Sequence, residues 1–315
     1  MKKSTLWSAA ALSAALTAAG VYRFSFCRTR LSGVLGERTR TPEFNRCRDW
    51  AARRMEALPH QVLVMRSERG DWLKGFYYPC GETPTKTMAF LVHGLHSEHR
   101  QACGLACQYY HRRGMDVFCC DNTAAGESEG KLVGYGLFER CDCLGWLERL
   151  RERFGEETRF VLHGFSMGGT VVLSMGEQPP EGAVCLISDS AFTSAAGVLR
   201  PRLGPLYHPM HRLNRLVAGY DLGETDVRER VFRCKLPALI IHGREDKVVP
   251  FAMGEELYAL HPGPKDCLFL GGVGHVEGLF RCPEAYQEKL DTFLDQYAGE
   301  GESHACEYHP DDGEG

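Results

Sequence analysis

A chain of 315 residues, 43% hydrophobic and 25% charged, can bury one substantial core and has the composition of an ordinary globular protein. A formal net charge of -4 gives no electrostatic reason to expect a nucleic acid or an anionic membrane surface as partner. No internal repeat, phosphate-cradling glycine loop or C-x-x-C pair is present, so neither a nucleotide nor a metal mechanism is supported, and no cofactor is expected.

The chain opens with Lys2 and Lys3, runs without charge from Leu6 to Tyr22, and then meets Arg23, Arg28 and Arg30. As a helix that run would span roughly 25 Å, slightly short of the ~30 Å hydrocarbon core. We expect residues 1–30 to be an uncleaved membrane anchor that stands outside the fold. A cleaved signal using Thr17 and Ala19 is the alternative, although arginines just after such a site hinder export. Basic residues on both flanks leave the side of the membrane open.

A helix is expected from Thr41 or Pro42, followed by two strands around a Gly70-Asp71 turn. Beyond Thr87, apolar runs such as "MAFLVHG", "MDVFCCD", "RFVLHGFS", "AVCLISDS", "PALIIHG" and "CLFLGG" alternate with amphipathic stretches. Continuous strands separated by helices predict an α/β fold, a mostly parallel central sheet with helices on both faces. One connection is too long for that rhythm. Residues from about 193 to 235 carry their own helical pattern with Pro201, Pro205 and Pro209, and read as a short helical lid. The main domain is thus expected at 41–298, and the lysine-free, arginine-free stretch 299–315 as an acidic disordered tail.

Fourteen cysteines do not form a disulfide pattern; Cys119, Cys120 and Cys185 sit inside apolar strands, where thiols act as small hydrophobes. Cys103, Cys107 and His111 recur at helical spacing, but three ligands on one helix rarely close a tetrahedral site, so no metal is expected. His304, Cys306 and His309 in the tail read the same way.

Gly164-Phe165-Ser166-Met167-Gly168 fits G-x-S-x-G between a strand and a helix. The serine occupies a sharply turned backbone position, and side chains at the flanking glycines would collide with neighbouring elements. A serine needs a base, and the base an acid to orient it. Asp246 follows the strand "ALIIHG" and His275 follows "CLFLGG", so both reach the sheet edge where Ser166 stands. Ser166 is the expected nucleophile, His275 the base and Asp246 the orienting acid, with Glu245 and Asp189 as alternatives for that last role. The N–H groups of Met167 and Leu95 are the expected oxyanion donors. His93, His96, His163 and His242 read as scaffold.

Together "VHG", "DNTAAGESEG", "ERCDCLGWL", "LHGFSMGG", "DSAFTS", "IHGREDKVVPF" and "GVGH" resemble the α/β-hydrolase superfamily over roughly residues 60–297. More narrowly they resemble bacterial serine hydrolases of the esterase or S9/S33 peptidase-like group, many with an N-terminal hydrophobic segment. The resemblance implies hydrolysis of a small carboxylic ester or thioester through an acyl-enzyme. A short-peptide or amide hydrolase is the second reading, and a non-catalytic membrane-bound scaffold a third. Oligomeric state is not legible. One departure stands out: the family's D-x-R-x-H-G loop has Thr123 and Ala125 in place of its arginine and histidine, so the hydrogen bonds of those groups must be lost or rebuilt.

Overall fold

The computed structural model describes residues 17–29 and 41–299. Eight strands form one sheet in the order β1-β2-β4-β3-β5-β6-β7-β8. They are β1 (Gln61–Arg66), β2 (Trp72–Tyr78), β3 (Thr87–Val92), β4 (Asp116–Asp121), β5 (Arg159–Phe165), β6 (Ala183–Asp189), β7 (Ala238–Gly243) and β8 (Lys265–Leu270). The β1–β2 and β2–β4 pairs are antiparallel, and the six strands from β4 to β8 run parallel. This is the mostly parallel sheet that the alternating apolar runs predict, in the α/β-hydrolase arrangement that the resemblance implies.

The pleat divides the strand residues between two cores. Ala89 and Leu91 of β3, with Val161 of β5, face a core closed by α1 (Pro42–Ala57), α2 (His99–Arg112) and the C-terminal α10 (Pro283–Tyr297). Met88, Phe90 and Val92, with Phe160 and Leu162, face the opposite core under α3 (Leu137–Phe154), α4 (Met167–Met175) and α8 (Phe251–Leu260). With both faces covered, the strands can be apolar throughout. Cys119, Cys120 and Cys185 are fully buried, and every cysteine among the described residues is free. Cys103 and Cys107 pack in the first core, while the His111 ring reaches the Tyr78 carbonyl 3.3 Å away. They hold the helix to the sheet.

A third apolar cluster caps the edge where the parallel strands end. Part comes from the expected lid region: α5 (Ala195–Leu203), a short 3-10 turn and α6 (Tyr207–Val217), whereas α7 (Arg228–Phe232) turns Val231 into the second core. Part comes from the loop between β4 and α3, through Ala124, Val133 and Tyr135. Tyr22 and Phe26 come from a segment expected to lie outside the fold.

Residues 17–26 are helical, and their end docks on the domain. Phe26 has no exposed surface and meets the Tyr135 ring edge-on at 5.8 Å. The Tyr135 hydroxyl donates to the Ser25 carbonyl at 2.6 Å, the Val133 N–H to the Phe26 carbonyl at 3.0 Å, and the Arg28 N–H to the Lys131 carbonyl at 2.8 Å. Cys27 and Leu132 form an antiparallel bridge. The expectation that residues 1–30 stand apart is therefore corrected for 17–29, where aromatic side chains and backbone hydrogen bonds tie the chain to the hydrolase fold. No helix among the described residues is long and apolar enough to cross a membrane. The beginning of the Leu6–Tyr22 run lies outside the described residues, as does the expected tail except for Gly299.

Candidate active site

Ser166 caps the N-terminus of α4 directly after β5, with φ 55° and ψ −118°. A β-carbon on Gly164 would lie 2.1 Å from the Gly168 carbonyl oxygen, and one on Gly168 would lie 2.1 Å from that of Val92. Both contacts are impossible, so strand, turn and helix can come this close only through glycine. The Ser166 N–H donates to the Asp189 carbonyl at the end of β6, 2.7 Å away, which fixes the turn.

His275 stands in the loop after β8 and Asp246 in the loop after β7. The His275 Nε2 lies 2.9 Å from the Ser166 hydroxyl oxygen, and its Nδ1 lies 2.7 Å from Asp246 Oδ2. Asp246 Oδ1 accepts the N–H groups of Val248 and Val249 at 2.7 and 2.8 Å, so the carboxylate is held from both sides. Burial by itself would raise the Asp246 pKa; the charge of the His275 ring and hydrogen bonds from His242, His275 and Val249 outweigh it, and the group stays below the usual carboxylate range. The three residues read from the sequence thus form one continuous chain of contacts.

The alternative acids are engaged elsewhere. Glu245 accepts the Val273 N–H. Asp189 accepts the Tyr286 hydroxyl at 2.9 Å and the Ser190 hydroxyl at 2.8 Å, and burial raises its pKa. The Tyr286 hydroxyl also lies 3.3 Å from His163, whose other ring nitrogen meets the Tyr110 hydroxyl at 3.0 Å. Burial lowers the His163 pKa to about 3, so this ring is neutral at physiological pH. The Ser190 hydroxyl accepts the Val276 N–H at 3.1 Å, next to His275. A buried polar support therefore reaches from α2 and α10 to the backs of both the serine turn and the histidine loop. Nothing local in the sequence marks Tyr286 or Tyr110 as its members.

Gly94 lies against the nucleophile; a β-carbon there would be 3.0 Å from that of Ser166. This brings the Gly94-Leu95 turn beside the hydroxyl, and Leu95 lines the same cavity as Ser166. Met167 is the first residue of α4, where N–H groups have no acceptor within the helix. His93 holds that turn in place: one ring nitrogen lies 2.8 Å from the Gly94 carbonyl, and the other accepts the Asn122 N–H at 3.0 Å. His96 lies 3.1 Å from the Phe24 carbonyl, so it too is a scaffold contact, to the docked N-terminal segment. His242 reaches the Val249 carbonyl behind Asp246.

The substituted loop shows how its interactions are rebuilt. Thr123, standing where the family pattern has arginine, donates its N–H and hydroxyl to Asp142 Oδ2 at 3.0 and 2.7 Å. Burial raises Asp142 to about 6, with the Thr123 bonds opposing the shift. Glu98, His99 and Asp121 gather nearby at metal-ligand spacing. Their oxygens are already committed: Glu98 caps α2, and Asp121 accepts the His99 and Glu127 N–H groups.

The cavity over Ser166 and His275 has a volume of about 790 Å3. Phe165, Phe192, Val198 and Val249 line it from the sheet edge and the insertion, and Phe24, Arg28 and Thr29 line it from the N-terminal segment.

An eight-stranded, mainly parallel sheet with a serine on the strand-to-helix turn after β5 is the α/β-hydrolase fold, and the likenesses that follow support a hydrolase enzyme built on it. Residues 83–203 match the family described as serine aminopeptidase, S33. The protein YqkD of Bacillus subtilis is 25% identical over 252 residues, covering 76% of this chain and 81% of its own. The α/β hydrolase domain-containing protein 17C of Xenopus laevis is 26% identical over 247 residues, covering 78% and 73%. Among solved structures, the Pyrococcus furiosus esterase Pf2001 superposes with a TM-score of 0.66 at 20% identity, over 78% of this chain and 95% of the esterase. At that identity the likeness speaks for the fold.

Proposed function

We propose that this hydrolase cleaves a carboxylic ester or thioester through an acyl-enzyme formed on Ser166. The observation that carries the reading is the contact chain from Ser166 through His275 to Asp246, with distances of 2.9 and 2.7 Å at the floor of a cavity. In this mechanism His275 takes the hydroxyl proton as the oxygen attacks the carbonyl carbon. It then passes that proton to the departing alcohol or thiol. Asp246 holds the ring with Nδ1 protonated and stabilises the imidazolium. The N–H groups of Leu95 and Met167 take the oxyanion. Water then attacks the acyl-enzyme with His275 again as base, releasing the acid.

The family match favours a second reading, an aminopeptidase-like hydrolase of short peptides. Such an enzyme must bind a substrate ammonium, which calls for an available carboxylate. Of the carboxylates lining this cavity, Glu98 is paired with Arg100 and the α2 N–H groups and Asp189 is held by Tyr286 and Ser190, which leaves Asp49, bonded to the neutral Gln101 amide, as the carboxylate open to an ammonium. Arg28, Arg48, Arg202 and Lys247 line the same cavity and oppose a cationic substrate, so esters are preferred. Membrane attachment rests on sequence composition alone. With Tyr22 buried against the domain, attachment at an interface is the form we favour.

The test is fluorophosphonate labelling of the full chain beside its Ser166→Ala variant, then turnover of matched esters, thioesters and aminoacyl amides. Labelling of the parent alone with ester turnover is expected. A folded parent that neither labels nor turns over any of the three would sink the proposal, and faster turnover of aminoacyl amides would move the second reading ahead.

A further inference from the structure

The cavity has an electrostatic bias that ester hydrolysis alone does not demand. Four cationic side chains line it; Arg48 of α1 donates to the Gln101 carbonyl, and the other three come from different parts of the chain, Arg28 from the docked N-terminal segment, Arg202 from α5, and Lys247 from the loop holding Asp246. Arg28 donates to the carbonyls of Gly126 and Ser128, and Arg202 donates to that of Val248. Carbonyl acceptors fix a guanidinium without cancelling its charge. Among the described residues, none of the three pairs with a carboxylate. Of the acids in the same cavity, Glu98 pairs with Arg100 and Asp189 is buried under Tyr286 and Ser190, so Asp49, bonded to the Gln101 amide, is the opposing charge.

Resting on the ester-hydrolase reading, we propose that Arg28, Arg202 and Lys247 form an anion-recognising rim, and that the substrate is an ester carrying a carboxylate or phosphate beside the scissile bond. Arg202 and Lys247 stand at the exposed mouth, whereas Arg28 is half-buried. A substrate anion there would meet guanidinium and ammonium donors in a site partly screened from water, where charge-assisted hydrogen bonds are stronger than neutral ones. The bonds made by Arg28 also give the docked segment a role: it completes the substrate site and delivers one of its charges. The apolar lining near Ser166 would then receive the uncharged part of the substrate.

Two matched ester pairs test this with the full chain: 4-acetoxybenzoate against 4-acetoxybenzamide, and 4-nitrophenyl hemisuccinate against 4-nitrophenyl butyrate. One pair places the charge on the leaving group and the other on the acyl group. The expected result is a kcat/KM at least about tenfold higher for the anionic member of one pair, falling steeply as salt is raised from 50 to 500 mM. That ratio should drop about tenfold in Arg202→Gln and Lys247→Gln and return in Arg202→Lys and Lys247→Arg. The ratio is read within each variant, so a general loss of folding or catalysis does not imitate the effect. Equal or lower kcat/KM for the anionic member in both pairs would overturn the rim, as would glutamine variants that keep the ratio. Absence of turnover for all four esters, with no fluorophosphonate labelling, would instead strike at the ester-hydrolase reading beneath it.

Discussion

The contact between His275 and Ser166 spans 109 residues, and the contact between Tyr135 and Ser25 spans 110, yet only the first can be read from the sequence. The first pair belongs to the floor of the site. Parallel strands that end at one edge bring the residues after β5, β7 and β8 together whatever the side-chain packing above them. The second pair belongs to the roof, where contact depends on which apolar surfaces happen to fit. A floor set by topology leaves a motif in the sequence, and a roof set by packing leaves only composition.

The sharpest way to break this division is at the floor. Ser166→Ala and His275→Ala should each lower kcat by about 10^4-fold or more while melting within a few degrees of the parent. Near-normal turnover in either would mean the wrong group has been assigned. Loss accompanied by unfolding would make the residue structural instead. Gly168→Ala tests why the motif exists at all. Its new β-carbon would strike the backbone oxygen of Val92 at the centre of the sheet, which cannot yield as a flexible side chain would. We expect a loss of about 3 kcal/mol in unfolding free energy, against almost none for Gly81→Ala, whose added carbon meets nothing within 4 Å. Comparable denaturation midpoints for the two variants would remove the steric explanation of the elbow.

The roof should fail differently. Phe26→Ala removes a fully buried ring from the docked segment, but that segment leans on the fold without belonging to the sheet. Hydrogen exchange at the Val133 and Arg28 N–H groups should speed up at least tenfold and KM should rise, while the melting temperature moves by about 2 °C or less. A cooperative loss of several degrees would place residues 17–29 in the same folding unit as the sheet. It would also erase the contrast between floor and roof.

Legibility followed the same line. The strands from β3 to β8, the serine turn and its two partners are legible because apolar runs, G-x-S-x-G and loop position each report local geometry; the order of the strands in the sheet is not. The apolar run ending at Tyr22 reads as lipid-facing because composition alone cannot distinguish lipid from Tyr135 as the surface that receives an aromatic side chain. Tyr286 and Tyr110 were missed for a related reason: a tyrosine on an amphipathic helix looks like core until its hydroxyl is found beside His163. Thr123 lies between these cases. The resemblance marks position 123 as a departure from arginine, and the structure shows what stands there, a hydroxyl and an N–H bonded to the buried Asp142 with the Arg69 charge acting nearby.

That contact carries the smallest effect and a definite sign with pH. Asp142 has a folded pKa of about 6, against about 3.9 in an unfolded chain. Between those values the folded protein keeps a proton that the unfolded chain has released, so this group's contribution to stability falls as pH rises from about 4 to about 6 and is flat beyond. Asp246 has the opposite sign, because its depressed pKa adds stability that is lost only as pH falls below the ordinary carboxylate range. In Asp142→Asn the side-chain oxygen can still accept both Thr123 bonds while nothing ionises. The variant should therefore gain about 1–2 kcal/mol over the parent at pH 7 and lose that advantage by pH 4, as read from urea midpoints across the range. A difference between the two proteins that does not change with pH would show that Asp142 ionises in the folded state as readily as in the unfolded one. The Thr123 hydroxyl and N–H would then serve as well as a cation, and the departure from the family pattern would carry no cost in stability.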